Sequence, residues 1–472
     1  MVHQLFDTMQ EVPIMSKVQE VKLQRNLKNR HLQLIAIGGA IGTGLFMGSG
    51  KTISLAGPSV LLTYMLIGFF LFFVMRAMGE LLLSNLEYKS FTDFTHDILG
   101  RGVGFFVGWT YWFCWVVIGI ADIIAITSYV QFWWPDVPLW LPGLACIFIM
   151  ASLNMLTVRL FGEMEFWFAL IKIVAIVGLV LVGVYLIATG FVNPNTGIPA
   201  SLSHLWMREG GIFPHGIGGF FSAFQIAVFA FLGIELVGTA AAETQDPYTN
   251  LPKAINRIPI RVIVFYVLAL SIIMTVTPWD MVDPKISPFV NMFTMIGIPI
   301  AAGLINLVVL SSALSSANGG MFSTGRMLYG LAKTQSAPRV FGLLNLRGVP
   351  APALMFSCSL LLLGLILLYV GEDTSIMEMF TIVTTISSIG FIFVWMMILL
   401  AYIKYRKTRP ELHAQSVYKM PGGVMMAWAC LAFLVFSLYL FSRDADTLTG
   451  MLYMPVWFGV LGIAYAVKFR KP

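Results

Sequence analysis

Glycines at positions 38, 39, 42 and 44 lie inside a stretch that is otherwise apolar enough to form a membrane span. Glycine in a helix costs about 1 kcal/mol relative to alanine, so this cluster predicts a helix that opens here and frees backbone N–H groups. Broken backbone at membrane depth is tolerated only where it is buried in protein or lines a cavity. Helix N-termini exposed in this way hold carboxylates. The alternative is close helix packing by small residues.

Two phosphate-binding motifs resemble this stretch but do not match it. The sequence Gly50-Lys51-Thr52 would end a phosphate loop only if position 45 were glycine, and it is Leu45. A dinucleotide fingerprint that starts at Gly42 would need its third glycine at 47, which is Met47. The glycines therefore do not predict a nucleotide site.

A second interruption is expected at Gly233, which lies in an apolar run between Phe229 and Glu235. Bulky phenylalanines beside a glycine suit a broken helix with an apolar cover over a small ligand. Glu235 has two interpretations, a cap on the second half-helix or a proton-carrying group. The small, hydroxyl-rich stretch 311–320 is either a hydrogen-bonding wall beside the breaks or a close-packing surface.

Two further deep charges are Asp122 and Lys172. Ionisable side chains at membrane depth are costly and usually have a partner or a function. Burial disfavours the charged ammonium of Lys172, so this side chain could gain and lose a proton; it could equally be a fixed cation paired to Glu165. The sequence names no partner for Asp122. Arg76 and Glu80, four residues apart, are expected to form an ion pair near one end of their span.

The composition is that of an integral membrane protein. Of the 472 residues, 58% are hydrophobic and only 11% are charged, against about 25% charged in soluble domains. The four cysteines fall in apolar stretches, which argues against a disulfide framework. No cleavable signal peptide is expected in the polar residues 1–31.

The apolar runs indicate an all-α protein of about twelve spans, each of roughly 20 residues. Lys and Arg are dense in the even-numbered connections, whereas the odd-numbered ones hold Arg208, Lys285 and Arg443. The positive-inside rule therefore places both termini in the cytoplasm. The +6 net charge follows from this sidedness and does not indicate a nucleic-acid partner.

The two interruptions lie five spans apart, as expected of two inverted five-span halves whose breaks meet at mid-membrane. The expected division begins with a cytoplasmic tail (residues 1–31), a first repeat (32–190) and an external loop (191–216). A second repeat (217–403), a cytoplasmic loop (404–423) and two further spans with a short tail (424–472) follow.

Several segments carry a family resemblance: GGAIGTGLFMGSGKTISLAGP, VMRAMGELLLSNLEYKSF, GEMEFWFALIKIVAI, FAFLGIELVGTAAAET and FSTGRMLYGLA. The chain resembles bacterial amino-acid permeases of the amino acid–polyamine–organocation superfamily. The resemblance covers nearly the whole chain beyond the tail. It implies an inner-membrane fold of five plus five inverted spans with discontinuous helices 1 and 6, followed by two extra helices.

The resemblance also implies site residues. Backbone N–H groups of Gly39, Ala40, Ile41, Gly42, Thr43 and Gly44 would bind the substrate carboxylate. Carbonyls around Phe229, Ala230 and Phe231, next to Gly233, would bind its ammonium. Lys172 matches a lysine that stands in place of sodium in a proton-coupled relative, and Glu235 matches a family position of less settled role.

We therefore expect proton-coupled uptake of a small neutral amino acid, with D-serine, D-alanine and glycine as the substrates that the resemblance suggests. Another neutral amino acid, or exchange instead of symport, is the alternative. The expected partners are the amino acid, the proton and the lipid bilayer, in a monomer or weak homo-oligomer without cofactor or metal.

Two other classes of membrane protein, an enzyme and a channel, are alternatives to a transporter. A membrane enzyme would need convergent catalytic groups at depth, but the histidines lie on the tail or the connections: His3, His31, His96, His204, His215 and His413. A channel is disfavoured because the broken segments carry no repeated filter or charged ring.

Overall fold

The computed structural model describes residues 41–156, 158–194, 196–239, 245–295, 297, 299–370 and 375–469. Over these residues the chain is helical, and the only sheet-like feature is one isolated bridge between Val192 and Pro199. The α-helices are α1 Thr43–Phe46, α2 Gly48–Ala56, α3 Val60–Ser84, α4 Phe91–Leu99, α5 Arg101–Gln131, α6 Trp140–Asn154, α7 Val158–Ala188, α8 Gly216–Ser222, α9 Phe224–Phe229, α10 Leu236–Thr239, α11 Pro247–Asn256, α12 Ile258–Arg261, α13 Ala269–Val276, α14 Pro288–Met295, α15 Pro299–Lys333, α16 Ala351–Leu360, α17 Leu362–Val370, α18 Ile376–Thr408, α19 Pro410–Gln415, α20 Gly423–Phe441 and α21 Ala445–Phe469.

Nine helical stretches among the described residues are long and apolar enough to cross a membrane. Two shorter apolar stretches, Trp140–Asn154 and Gly216–Phe229, accompany them. One of the nine, Gly48–Ser84, contains Gly57 with a φ of +58° ahead of Pro58, which separates α2 from α3. The protein is thus an all-helical, multi-pass membrane protein, and the count of twelve spans stays a prediction.

Helix α5 forms the centre of the bundle. In its most apolar stretch 78% of the residues are buried within the protein, against 17% in the last span, so α5 is surrounded by protein whereas α21 is left to face lipid. The inner side of α21 packs on α5 through Trp457, which stacks on Phe113 with ring centroids 4.1 Å apart. The buried polar side chains described below belong mainly to α5, α7 and α15.

The helical ladder is interrupted in two places near this centre. Ile41 and Gly42 precede α1 as bends, and Met47 separates α1 from α2. Helix α9 ends at Phe229 and α10 begins at Leu236, and residues 230–235 between them are turns. Gly233 has a φ of +99° there, a conformation that favours glycine because it has no Cβ.

The expected ion pair between Arg76 and Glu80 is wrong, because each residue binds the connection after α18 instead. The Arg76 guanidinium donates to the Asn256 side-chain oxygen at 2.8 Å and to the Lys419 carbonyl. The fully buried Glu80 carboxylate accepts the Met420 backbone N–H at 2.7 Å and lies 2.5 Å from the ring of His413. A tertiary contact more than 300 residues away in sequence has replaced the local pair.

Candidate functional site

The two interrupted segments touch at the centre of the protein. A Cβ at Gly44 would lie 2.6 Å from the Cα of Ala230 and 2.9 Å from the Phe229 ring, closer than side-chain atoms can approach. Glycine at 44 thus lets α1 come into backbone contact with the turns after α9. Among the described residues, a Cβ at Gly42 would meet only the Ser316 side chain, at an ordinary 3.4 Å.

The structure places predicted binding residues of the two segments side by side at Gly44, Phe229 and Ala230. Ile41, Thr43, Phe229, Ala230 and Phe231 are all nearly inaccessible to solvent. The Phe229 ring meets Phe380 of α18 edge-on, with centroids 5.6 Å apart, so aromatic walls limit the space beside the contact. Gly39 and Ala40 lie outside the described residues.

Lys172 of α7 is fully buried and reaches the bend before α1. Its ammonium donates to the Ile41 carbonyl and to the Ser315 hydroxyl, both at 3.0 Å. Ser312, one turn earlier on α15, donates to the same Ile41 carbonyl at 3.0 Å. A carbonyl freed by the loss of helix is thereby satisfied by a cation and a hydroxyl.

Glu165, also on α7, is linked to Lys172 through Ser315. The Ser315 hydroxyl donates to Glu165 Oε2 at 2.8 Å, and the Asn318 amide donates to Oε1 at 2.8 Å. The Asn154 amide in turn donates to the Asn318 oxygen at 2.7 Å. The hydroxyl-rich stretch of α15 is therefore a hydrogen-bonding wall, one of the two interpretations of residues 311–320.

Asp122 has a partner that the sequence did not indicate. Thr43 is the first residue of α1, and its hydroxyl donates to Asp122 Oδ1 at 2.8 Å. Both groups are buried, and Asp122 lies on the central helix α5. The lysine and the aspartate thus hold the start of α1 from two sides, one through the Ile41 carbonyl and the other through the Thr43 hydroxyl.

Glu235 accepts a hydrogen bond from the backbone of the second interruption. Its Oε2 accepts the Gly233 backbone N–H at 3.2 Å, and the Tyr111 hydroxyl lies 3.5 Å from Oε1. The Tyr111 hydroxyl continues to Ser323 at 3.2 Å, and Ser323 donates to Thr239 at 3.3 Å. The carboxyl group therefore satisfies the turn, as the cap interpretation requires, and also begins a line of hydroxyls.

Tyr266 is a site residue that sequence reasoning missed. It lies in a π-helical turn, Val262–Leu268, between α12 and α13. Its hydroxyl donates to the Ala230 carbonyl at 2.7 Å, and its ring stacks on Phe231 with centroids 5.0 Å apart. Such π-turns occur frequently at functional sites. The sequence offered no signal, since Tyr266 is one aromatic residue in an unbroken apolar run.

A multi-pass helical bundle with buried charges at its centre is typical of a membrane transport protein. Comparison with known proteins gives the particular family. Residues 31–472 match the model of the amino acid permease family, and the chain belongs to that family.

Several curated relatives are similar over nearly their full length. The D-serine/D-alanine/glycine transporter of Escherichia coli (strain K12) is 60% identical over 96% of this chain and 95% of its own. Amino-acid permease AapA of Bacillus subtilis (strain 168) is 50% identical over 96% of both chains. The probable threonine/serine transporter YbxG of the same organism is 40% identical over 94% of this chain and 95% of its own. The protein is therefore a transporter and not an enzyme, as expected from its sequence.

Proposed function

We propose that the protein imports small neutral amino acids, namely D-serine, D-alanine and glycine, by proton symport with alternating access. The observation that carries the proposal is the contact between α1 and the turns after α9, at Gly44 and Ala230. The relative that is 60% identical and named for these three substrates supports the choice of cargo. A permease or exchanger for another neutral amino acid is the alternative.

The substrate would lie between the two interruptions. Backbone N–H groups of residues 39–44 would bind its carboxylate, and carbonyls of residues 229–231 would bind its ammonium. Gly42 leaves space for the carboxylate to reach these N–H groups. No atom of the described residues around it lies closer than 3.4 Å to the position where a Cβ would be. The rings of Phe229 and Phe380, which meet edge-on, leave room for a small side chain only. Gly233 permits the turn that follows these carbonyls by taking a positive φ.

Lys172 would couple the proton to the substrate. Its charged form donates to the Ile41 carbonyl, so loss of the proton removes a bond that holds the start of α1. A proton can drive the transport cycle only through different affinities for its outward-open and inward-open states. The contacts of Lys172 with α1 and, through Ser315, with α15 provide a structural route to that difference. Glu235, at the other interruption, is the second candidate for a proton-carrying role.

The arrangement in the membrane belongs to the same proposal. The two interruptions would be related by an inverted repeat of residues 32–190 and 217–403, in a bacterial inner-membrane protein of about twelve spans with cytoplasmic termini. Residues 191–216 would then be external, and residues 404–423 cytoplasmic. Thiol labelling of single cysteines placed in these two loops of intact cells tests the sidedness.

The cargo and the coupling are tested with purified protein in proteoliposomes under an imposed pH gradient. We expect accumulation of D-serine, D-alanine and glycine that collapses with the gradient. A panel of D- and L-amino acids in counterflow separates these substrates from other neutral amino acids. Counterflow without any gradient-driven accumulation would identify an exchanger and exclude symport.

Lys172→Ala should leave binding and counterflow measurable yet abolish accumulation driven by the pH gradient, because the titrating cation is gone while the interruptions remain. Lys172→Arg is the matched variant: it keeps a cation that does not release its proton, so counterflow persists and gradient-driven accumulation fails. Wild-type accumulation by either variant would contradict the coupling role.

Gly42→Val should abolish substrate binding, because its methyl groups would fill the approach to the backbone N–H groups. Gly42→Ala is the graded comparison, since one Cβ fits against Ser316 without a clash and only the ligand loses space. Binding of radiolabelled glycine to purified protein measures both. Unchanged binding by Gly42→Val would place the carboxylate elsewhere.

A further inference from the structure

Residues 201–215, which we call the strap, lie beside the C-terminal end of α13. The strap begins with one short helical turn, Leu202–Leu205, which packs against that helix. Ser201 donates its backbone N–H to the Thr275 carbonyl at 3.1 Å, and His204 Nδ1 lies 2.9 Å from the same oxygen. Because a carbonyl only accepts, His204 Nδ1 carries the hydrogen of this bond. The last carbonyls of a helix have no partner within it, so the strap caps α13.

The rest of the strap is fastened to the turn that follows α13. The Arg208 guanidinium forms an ion pair with Asp280 at 2.5 Å. Asp280 lies in the short helical turn Trp279–Met281. The ring of His215, the last residue of the strap, meets the Trp279 ring edge-on with centroids 5.1 Å apart. The strap is thus held at three points along its length.

The strap also contacts the end of the helix that continues from the first interruption. A Cβ at Gly57, directly after α2, would lie 2.3 Å from the Pro214 side chain. Helix α8, which follows the strap, is equally close to α2, because a Cβ at Gly219 would lie 2.6 Å from the Leu55 carbonyl. Only Met47 separates α2 from α1. A movement of α2 away from the strap would therefore also move α1.

His204 is buried where the strap meets α13, with 7% of its surface exposed. The charged groups that face it are Arg208 on the strap and Asp280 on the opposite turn, whereas α13 presents the Thr275 carbonyl. Burial lowers the pKa of His204, and the Arg208 guanidinium acts in the same direction. The Thr275 carbonyl and the Asp280 carboxylate oppose this lowering without reversing it.

The lowered pKa gives the closure of the strap a direction of pH dependence. The closed strap binds the proton of His204 less readily than the released strap does. Closure is therefore favoured in full above the ordinary imidazole value of about 6.5, and it is progressively lost as the pH falls towards the lowered pKa. Histidine is the side chain whose charge normally changes in this range.

We propose that the strap is an acid-sensitive latch on the external side, and that protonation of His204 releases it and frees α2 to move. The inference rests on the proposed function for the sidedness of the strap and for the external opening that it controls. The contacts with Thr275, Asp280, Trp279 and Gly57 hold the strap closed at neutral pH. Release in acid opens the external side when external protons, the proposed coupling ions, are abundant.

The labelling rate of a buried cysteine tests the release. Ala56→Cys places a thiol beside Gly57 at a residue that is 1% exposed, and Met207→Cys places a reference thiol on the strap at a residue that is 75% exposed. The ratio of the two labelling rates with a membrane-impermeant maleimide corrects for the effect of pH on the thiols, and the four native cysteines are buried. We expect the ratio to rise about two- to tenfold between about pH 7.5 and about pH 5.5, as for the loss of one buried hydrogen bond.

His204→Asn is the matched variant, because its amide nitrogen can take the position of Nδ1 and donate to the Thr275 carbonyl but does not titrate. Its labelling ratio should stay low at both pH values. His204→Ala removes the bond, so its ratio should be high at both. A ratio that does not rise in acid with His204 present, or an equal rise in His204→Asn, would overturn the proposal.

His215→Gln is the control for the other imidazole of the strap. His215 is exposed, so its charge changes without a cost of burial. A full pH response in this variant would support the assignment to His204. Loss of the response in His215→Gln, together with a normal response in His204→Asn, would assign the release to His215 and overturn the role of His204.

The labelling also separates this inference from the proposed function. In intact cells, failure of Met207→Cys to react from outside would overturn the external placement of the strap. In detergent the reagent reaches both faces, so a ratio that rises in acid only with His204 present would still support the latch. The same result would support it even if the protein carried none of the proposed substrates.

Glycine counterflow in proteoliposomes with equal pH on both sides measures the effect of the strap on transport. Equal pH removes the driving force of the gradient, so the comparison reports access to the site. We expect His204→Asn to match the wild type at about pH 7.5 and to be about two- to tenfold slower at about pH 5.5, because its strap stays closed. Equal rates of the two proteins at both pH values would overturn the gating role.

Discussion

At the scale of single residues, Gly44 shows how a missing side chain builds a site. Its Cα lies against the backbone of Ala230, so two interrupted helices approach more closely than any other residue type would allow. The sequence suggested that glycines at 38–44 open a helix. The structure adds that Gly44 also brings two chain segments into contact, a role that depends on what lies opposite.

Gly44→Ala should therefore impair transport although alanine is the better helix former. The added Cβ would sit 2.6 Å from Ala230 Cα and push the two segments apart, at a cost of about 1–3 kcal/mol for overpacking. We expect a lower melting temperature and at least a tenfold loss of glycine uptake. Thermal unfolding in detergent and uptake in proteoliposomes measure the two effects.

Gly178→Ala on α7 is the matched control, because nothing among the described residues lies within 4 Å of its added Cβ. It should leave uptake unchanged. Because alanine is favoured over glycine in a helix by up to about 1 kcal/mol, the melting temperature should stay the same or rise slightly. Equal behaviour of the two variants would mean that the contact at Gly44 has no role in transport.

At the scale of elements, the turns after α9 depend on a neighbouring helix for their shape. Residues 230–235 lose the helical hydrogen-bond ladder, and Tyr266 replaces one of the lost bonds by donating to the Ala230 carbonyl. The π-helical turn that contains Tyr266 is itself an irregularity. Two departures from regular helix thus pack together, and Tyr266 of one satisfies a carbonyl of the other.

Tyr266→Phe should loosen this segment while keeping the stacked ring. Loss of one buried hydrogen bond costs about 0.5–1.5 kcal/mol and leaves the Ala230 carbonyl unpaired. Because that carbonyl belongs to the proposed ammonium site, we expect a rise of about three- to tenfold in the dissociation constant for glycine. Direct binding to purified protein provides the measurement.

The comparison variant is Tyr405→Phe, which deletes a buried hydroxyl that has no hydrogen-bond partner among the described residues. Its affinity for glycine should match the wild type. If both variants bind as the wild type does, the Tyr266 hydroxyl does not position the carbonyl.

At the scale of the whole molecule, the connection after α18 ties together distant parts of one face. Arg409 donates to Asp97 of α4 at 2.8 Å, and Tyr88 also donates to that carboxylate. Glu80 of α3 accepts the Met420 backbone N–H at the other end of the connection. A segment joining two late spans thereby fastens the ends of two early ones, which restricts their relative movement.

The ion pair predicts a small effect of pH on stability. The hydrogen bond from Arg409 lowers the pKa of Asp97, against the opposing effect of partial burial. A carboxyl group with a lowered folded pKa stabilises the protein above its unfolded value of about 3.9, and that stabilisation is lost as the pH falls through the folded pKa. At pH 7 the contribution should be present in full.

Asp97→Asn should therefore lower the melting temperature at pH 7 and make progressively less difference as the pH falls below about 3.9. The effect should stay below about 1 kcal/mol, because Asp97 is 43% exposed and water screens the pair. Melting of wild type and variant in detergent across this pH range provides the comparison. A difference between the two melting temperatures that grows as the pH falls would contradict a lowered pKa for Asp97.

Much of the protein followed from its sequence by itself. The scarcity of charge predicted an all-helical membrane protein, and motifs around the glycines and the deep charges indicated the amino acid permease family, which the comparison confirmed. These features are local: hydropathy acts over one span, and glycine or a buried charge changes its own stretch of helix. The positions of Gly44, Lys172, Asp122 and Glu235 were conspicuous because each departs from its apolar surroundings.

Only the tertiary structure decided which groups meet. Thr43 pairs with Asp122, Ser315 joins Lys172 to Glu165, and Tyr266 satisfies Ala230, all across different helices. The expected pair of Arg76 and Glu80 failed for the same reason, since distant groups offered better partners than the adjacent turn. Hydrogen bonds in a membrane interior must be satisfied within the protein, and which helix supplies the partner depends on how the spans pack, a property that no single stretch of sequence contains.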